Sequence, residues 1–269
     1  MDKRSILVPH DFTPVADKAV LYALNLAKAI DAKVDLIHIV KDAKETSAVN
    51  AKFQKVVSSL DGKLNGTPLN THVKVGSIYT DIASKALELH STLIIMGTHG
   101  ATGMQKLFGS FAIKVITSTH IPFLIVQKEF SESNLNKIVV PIDETQESLQ
   151  IEQVATGLAE IIKAELHIVT EKMIDSNLKL KTAVHTGLFT KQIKAKNLAY
   201  QTAILERKKG YAADIVQYTK SVNAGLIAFA YHSDSLLPQF DTFAQSLISN
   251  KEGIPVLVLN SKEAGNYFF

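Results

Sequence analysis

Ile6-Leu7-Val8-Pro9-His10-Asp11-Phe12-Thr13-Pro14 decides how the chain is read, because it is written twice. Ile138-Val139-Val140-Pro141-Ile142-Asp143 matches its start at an offset of 132 residues. Leu93-Ile94-Ile95-Met96 returns as Leu226-Ile227-Ala228-Phe229, and Ile121-Pro122-Phe123-Leu124-Ile125-Val126 as Ile254-Pro255-Val256-Leu257-Val258-Leu259. Val34–Val40 also resembles Ala164–Val169 at an offset near 129, which pairs His38 with His167. A period of about half the chain marks a duplicated domain, since solenoid repeats run roughly 20–50 residues. The 269 residues suit two domains at roughly 100–200 residues each. The expected boundaries are 1–128 and 137–262. Polar residues 129–136 form a linker between them, and 263–269 form a tail.

Inside each copy, short apolar runs alternate with helical patterns. The first copy predicts strands at 4–9, 33–40, 70–75, 92–96 and 122–127. Helices fall between them at 13–30, 43–61, 79–90 and 109–118. Continuous apolar runs such as Leu93–Met96 suit parallel strands covered on both faces. Thr13-Pro14 is a helix N-cap followed by proline at the first helical position. The second copy predicts strands near 137–142, 165–169, 200–205, 225–230 and 256–259, with a helix around 175–197. The expected fold class is α/β: two tandem Rossmann-like open sheets, each of five mostly parallel strands flanked by helices.

Composition excludes several classes of function. Apolar residues are 46% and charged residues 20%, ordinary globular usage, so a disordered chain is not expected. There is no apolar run of about 18 residues, so no membrane span is expected. The opening apolar run is too short for a secretory signal. Cysteine is absent, which removes disulfides, thiolate metal sites and a Cys nucleophile. The expected location is cytoplasmic. Net charge is +3, too small to call for nucleic acid. Residues 1–128 carry 15 basic and 10 acidic side chains, the remainder 14 and 16, which favours an anionic ligand on the first half, with ordinary variation of surface composition as the alternative. Lys179, Lys181, Lys191, Lys194 and Lys196, followed by Arg207-Lys208-Lys209, read as a solvated surface, with an acidic partner as the alternative.

In an open parallel sheet, ligands bind beyond the carboxyl ends of the strands. In the first copy those ends carry Pro9-His10-Asp11, then His38-Ile39, then Met96-Gly97-Thr98-His99-Gly100. Gly109-Ser110 opens the next predicted helix. Glycines after a strand admit an anion to the backbone, and a helix start offers free N–H groups and the positive end of the dipole. That is phosphate-binding chemistry. Asp11 could accept a hydrogen bond from a base or a ribose hydroxyl. The alternative is that these glycines only make turns and that Asp11 and Asp143 only stabilise helix starts.

Other chemistries find no support. The chain has no Gly-x4-Gly-Lys-Ser/Thr loop, no Gly-x-Gly-x2-Gly after its first strand and no Gly-x-Ser-x-Gly elbow. No His pair has zinc spacing. No pair of acids at a strand end suggests general acid–base work.

The quoted first-strand run, with Met96-Gly97-Thr98-His99-Gly100, Gly109-Ser110 and Ile121–Val126, resembles the universal stress protein family over nearly the whole chain, as two tandem domains. The resemblance implies binding of an adenine nucleotide (ATP, or AMP or ADP), with Mg2+ as a companion ion, by the first domain. It implies a nucleotide-binding set of Pro9, His10, Asp11, Ile39, Met96, Gly97, His99, Gly100, Gly109, Ser110 and Phe111. Asp11 and the Ile39 backbone would face adenine, Gly97 would lie near ribose, and Gly100, Gly109, Ser110 and Phe111 would hold phosphates. The family's ATP-binding pattern is Gly-x2-Gly-x9-Gly-Ser/Thr; here the second spacing is eight, one residue short.

It further implies a stress-response sensor or chaperone-like role, with at most slow ATP hydrolysis and no committed catalytic residue. The alternative is a stress-response scaffold that binds no nucleotide. Partners would be the nucleotide, the other half of the chain through the last strands, and a second chain in a homodimer, with no nucleic acid and no membrane. The second copy is expected to be degenerate. Ala230 stands for Gly97, Ser233 for Gly100, and Thr242-Phe243 for Gly109-Ser110, while Asp234 and Asp241 add negative charge. His232 stands for His99.

Overall fold

The computed structural model describes residues 3–98, 108–127, 135–232 and 242–261, with 108–111 described in backbone only. The first half runs β1 (Ser5–Pro9), α1 (Pro14–Ala29), β2 (Lys33–Val40), α2 (Thr46–Ser59), β3 (Leu69–Val75), α3 (Ile78–Glu88), β4 (Ser91–Thr98), α4 (Phe108–Ile116) and β5 (Phe123–Gln127). The second half repeats the order. It runs β6 (Lys137–Pro141), α5 (Ile151–Ile162), β7 (Glu165–Glu171), α6 (Ser176–Ala195), β8 (Tyr200–Leu205), α7 (Tyr211–Ser221), β9 (Leu226–Tyr231), α8 (Thr242–Ile248) and β10 (Val256–Asn260). The expected linker falls mostly, and the tail wholly, outside the described residues.

Local chemistry sets the helix starts. Thr13 is extended and its Oγ1 accepts from the Ala16 N–H at 3.4 Å, with Pro14 in the first turn. Ser77 caps α3 in the same way, and Asp175 caps α6 by accepting from Asn177 and Leu178.

The expected two sheets are continuous. Ten strands form one sheet in the order β3-β2-β1-β4-β5-β10-β9-β6-β7-β8. Within each half the pairs are parallel; β5 and β10 meet antiparallel, with Leu124 opposite Leu257. Each final strand would otherwise be a bare apolar edge, and pairing removes both. All residues of β5 and β10 are buried. Polar side chains pin the seam reciprocally. Gln127 donates to the Ile248 carbonyl at 3.0 Å, and Asn260 to the Thr117 and Thr119 carbonyls at 3.4 Å.

Strand residues alternate between two core layers. Ile6, Val8, Leu36, Leu93 and Leu124 join the layer under α1, α2, α5 and α6. Leu7, Ile37, Ile94, Met96 and Phe123 join the layer under α3, α4, α7 and α8.

Strand register corrects one expectation. Pro9 pairs with Ile37 and Pro141 with Val169, so the repeat offset in these strands is 132. His38 therefore corresponds to Thr170, and His167 to Asp35. The two histidines lie on opposite faces of the sheet, because an odd displacement along a strand reverses the side-chain direction. Asp35 is buried and accepts from Ser5 (2.6 Å), His72 (2.8 Å) and Asn70 (3.0 Å). Burial pushes its carboxyl up, but the hydrogen bonds from His72, Ser5 and Asn70 outweigh that and hold it at about 2. His167 instead meets the Tyr218 hydroxyl at 2.9 Å.

Candidate functional site

Strand order reverses between β1 and β4: from β1 the chain builds outward to β2 and β3, then returns to β4 and β5. A crevice opens at such a reversal, beyond the carboxyl ends of the strands. Pro9, His10, Asp11, Ile39, Met96 and Gly97 all lie there, at the ends of β1, β2 and β4. The backbone of Gly109, Ser110 and Phe111 lies in the first turn of α4, which starts at Phe108. His99 and Gly100 lie outside the described residues, as do Ser233, Asp234 and Asp241 of the second copy.

The gathered residues differ in what they can offer a ligand. Asp11 is exposed; one carboxylate oxygen accepts from the Thr13 N–H at 3.1 Å and its hydroxyl at 2.5 Å. The other oxygen has no partner among the described residues. Asp143 repeats the arrangement with Thr145, at 2.8 and 2.5 Å. The carboxylate therefore organises the strand-to-helix turn in both halves, the local role named above as the alternative to ligand binding.

His10 is 3% exposed, and all its polar groups are engaged. Its Nδ1 accepts from the Phe12 N–H, which fixes the proton on Nε2, facing Asp17 at 3.1 Å. Its backbone N–H donates to the Ile37 carbonyl, and its carbonyl meets His38 Nδ1 at 2.6 Å. Burial lowers the His10 pKa, against the raising influence of Asp17. Met96 is buried in the core, while Pro9, Ile39 and Gly97 are half-buried.

Gly97 has a packing reason to be glycine. A Cβ there would lie 2.6 Å from the Val15 carbonyl oxygen and 3.0 Å from the Ala16 nitrogen, at the start of α1. The second half tolerates Ala230 at this position. There a 3₁₀ turn, Glu147–Gln150, precedes α5, where α1 is α-helical from its first turn.

Sequence reasoning missed an aromatic layer beneath the first-half site. Phe12 takes a left-handed backbone (φ 64°), rare for a bulky residue. Its ring lies 4.9 Å from His38, 5.1 Å from Phe53 and 5.2 Å from His10, and Lys52 sits over its face at 5.3 Å. The one signal in the sequence was Phe12 itself, set between two polar turn residues.

The equivalent crevice in the second half is a cavity of about 300 Å³ at the ends of β6, β7 and β9. Phe243, at the position of Ser110, stacks on Tyr211 (5.9 Å, 18°) and stands edge-on to Phe229 (6.0 Å, 83°). Asp143, Glu144 and Glu171 line the same space. Rings and carboxylates therefore occupy the wall where the first half has the backbone of the first turn of α4.

Comparisons with known proteins agree with this architecture. Residues 3–127 match the model of the universal stress protein family. A curated universal stress protein of Methanocaldococcus jannaschii is 29% identical over 144 residues, 48% of this chain and 85% of its own. A solved universal stress protein from Archaeoglobus fulgidus superposes with a TM-score of 0.74, covering 96% of this chain and 97% of its own at 16% identity. A structure of the universal stress protein from Archaeoglobus fulgidus in complex with dAMP covers 47% of this chain and all of its own, at 20% identity and a TM-score of 0.40. Residues 3–127 belong to the universal stress protein family, and the chain has the fold of a tandem member.

Proposed function

We propose that the first half binds an adenine nucleotide and that the protein acts in stress response through the bound state. The observation that carries this reading is the β1–β4 crevice. It brings the free oxygen of Asp11, the half-buried Ile39 and the bare backbone of Gly97 to one strand-order reversal. In this reading Asp11 and the Ile39 main chain take the base, and Gly97 lies along the ribose. The backbone N–H groups at Gly109-Ser110 take phosphate, where the α4 dipole favours negative charge. His10 contributes by holding the turn, since its ring is already committed to Asp17 and Phe12. Among the described residues no group of His, Asp and Glu is placed to hold a metal. In this reading magnesium enters on the phosphates of ATP. The second half, with Phe243 and three carboxylates in its crevice, serves as the pairing partner of the first.

A second reading, a scaffold without nucleotide, is favoured by one observation: the packing of Gly97 against Val15 explains that glycine without any ligand. Thermal unfolding of the full chain with Mg-ATP, AMP and GTP separates the two. A ligand at 100 times its dissociation constant stabilises the native state by about 2.7 kcal/mol. An adenine-specific rise in midpoint that disappears in Gly109→Leu supports the nucleotide reading. An unchanged midpoint with every nucleotide leaves the scaffold.

A further inference from the structure

The second half holds a larger cavity, about 730 Å³, between α6 and the outer strands β7 and β8. Pockets for small organic ligands span roughly 300–1,000 Å³. Buried Ile168 and Thr170 lie at its deep end, and exposed Thr202 and Ile204 at its open side. Its origin lies in the difference between the halves. In the first half the corresponding face is filled by the rings of His10, Phe12 and His38 under Phe53. By strand register and repeat, the positions of those three rings are held in the second half by Ile142, Glu144 and Thr170. Of these Thr170 lines the cavity, which α6 roofs, with a small side chain where the first half has the His38 ring, while Ile142 and Glu144 line the crevice at the strand ends.

Two polar groups on the roof are unfinished. Thr182 is 5% exposed, and its hydroxyl oxygen is buried with no hydrogen-bond partner. Lys179 has no carboxylate within ion-pair distance among the described residues. The other charges on the wall are already matched. Lys172 pairs with Glu206 at 3.0 Å, and Glu171 with Arg207 at 3.2 Å. Lys179 and Thr182 are three residues apart on a helix, hence on one face, and Ala183 lies one turn from Lys179 on the same wall. Ile204, 68% exposed at the rim, is apolar surface that an occupant would cover.

We propose that this cavity binds an amphipathic monocarboxylate, a molecule with an apolar body and one anionic head. The body lies against Ile204 and Ala183. The carboxylate meets the Lys179 ammonium, and one of its oxygens accepts from the Thr182 hydroxyl. A cationic head is disfavoured, because Glu171 and Glu206 already have their cations. This site is independent of the nucleotide reading, since it lies in the other half of the sheet.

Titration of the full chain with decanoate, below its micelle onset and followed by calorimetry, tests the proposal. Decanol and decylamine serve as head-group controls. Saturable binding of decanoate is expected, with decanol at least about tenfold weaker and Lys179→Ala weakening decanoate about tenfold, the loss of one charge-assisted contact. Ala183→Trp should abolish binding by filling the groove, and an unchanged unfolding midpoint would show that the fold is intact. Should that variant fail to fold, Thr182→Val, which keeps the volume and removes the hydroxyl, must weaken binding. Absence of saturable binding, equal affinity for decanol, or full affinity in the folded Ala183→Trp variant would overturn the assignment. So would adsorption to anionic vesicles without binding of monomeric decanoate, which would point to a surface in place of a pocket.

Discussion

At the end of β1 the chain runs Pro9-His10-Asp11-Phe12-Thr13, and at the end of β6 it runs Pro141-Ile142-Asp143-Glu144-Thr145. The hydrogen bonds from threonine to aspartate are the same in both, yet the surroundings differ. In the first half Phe12 turns left-handed and closes the space beneath α2 with rings. The crevice above is left to the backbone and to Asp11. In the second half Tyr211 and Phe243 line the crevice, which keeps about 300 Å³, and a further cavity of about 730 Å³ lies between α6 and the outer strands. Duplication thus kept the turn, which any strand-to-helix connection of this geometry needs. It changed where the aromatic rings sit around that turn.

The sharpest break of this comparison is expected at the buried carboxylate. Asp35→Ala leaves Ser5, Asn70 and His72 facing an empty site, at a cost of about 3 kcal/mol. Its register counterpart His167, which meets the Tyr218 hydroxyl at 2.9 Å and the half-buried Glu165 carboxylate at 3.4 Å, should cost about 1 kcal/mol when replaced by Ala. Urea unfolding of both variants measures the gap, and equal losses would undo the contrast drawn between the two positions.

Gly97→Ala forces a Cβ against the α1 backbone and is expected to cost about 2 kcal/mol. Ala230→Gly in the other half should cost no more than about 1 kcal/mol, the ordinary glycine penalty. If Gly97→Ala is neutral in a melting experiment, the packing account of this glycine fails.

Asp11→Ala and Asp143→Ala each remove the same cap-like hydrogen bonds, worth about 1 kcal/mol. Matched stability losses are expected, but only the Asp11 variant should alter a nucleotide-dependent midpoint. A nucleotide response that survives in Asp11→Ala would remove this carboxylate from the site.

The smallest effect concerns acid. His10 has a folded pKa below 6.5, so the unfolded chain takes up a proton first as pH falls. Its contribution to stability is complete above about pH 6.5 and is lost as the pH drops from there toward its lowered folded value. Asp35 acts lower, its contribution fading between its unfolded value of 3.8 and about 2. Unfolding midpoints from pH 7.5 to 5 should therefore fall less steeply in His10→Gln than in the parent chain. Parallel curves would show that His10 does not titrate in this window.

The sequence alone determined the duplication, the α/β alternation and every strand of both copies to within two residues at each end. The signals there are local: apolar runs, Thr13-Pro14 at a helix start, and repetition that tests each element against its twin. The strand-end position of Asp11 and Gly97 was legible for the same reason. Only the tertiary structure decided the rest. That His38 matches Thr170 follows from pairing register, and an offset of 129 against 132 is invisible without the partner strand. That Gly97 answers to Val15 is a contact across more than 80 residues of chain. The fusion into one ten-stranded sheet, and the different placement of aromatic rings in the two halves, depend on which side chains meet in space. Such meetings are fixed by packing among distant segments, which no local pattern of residues encodes.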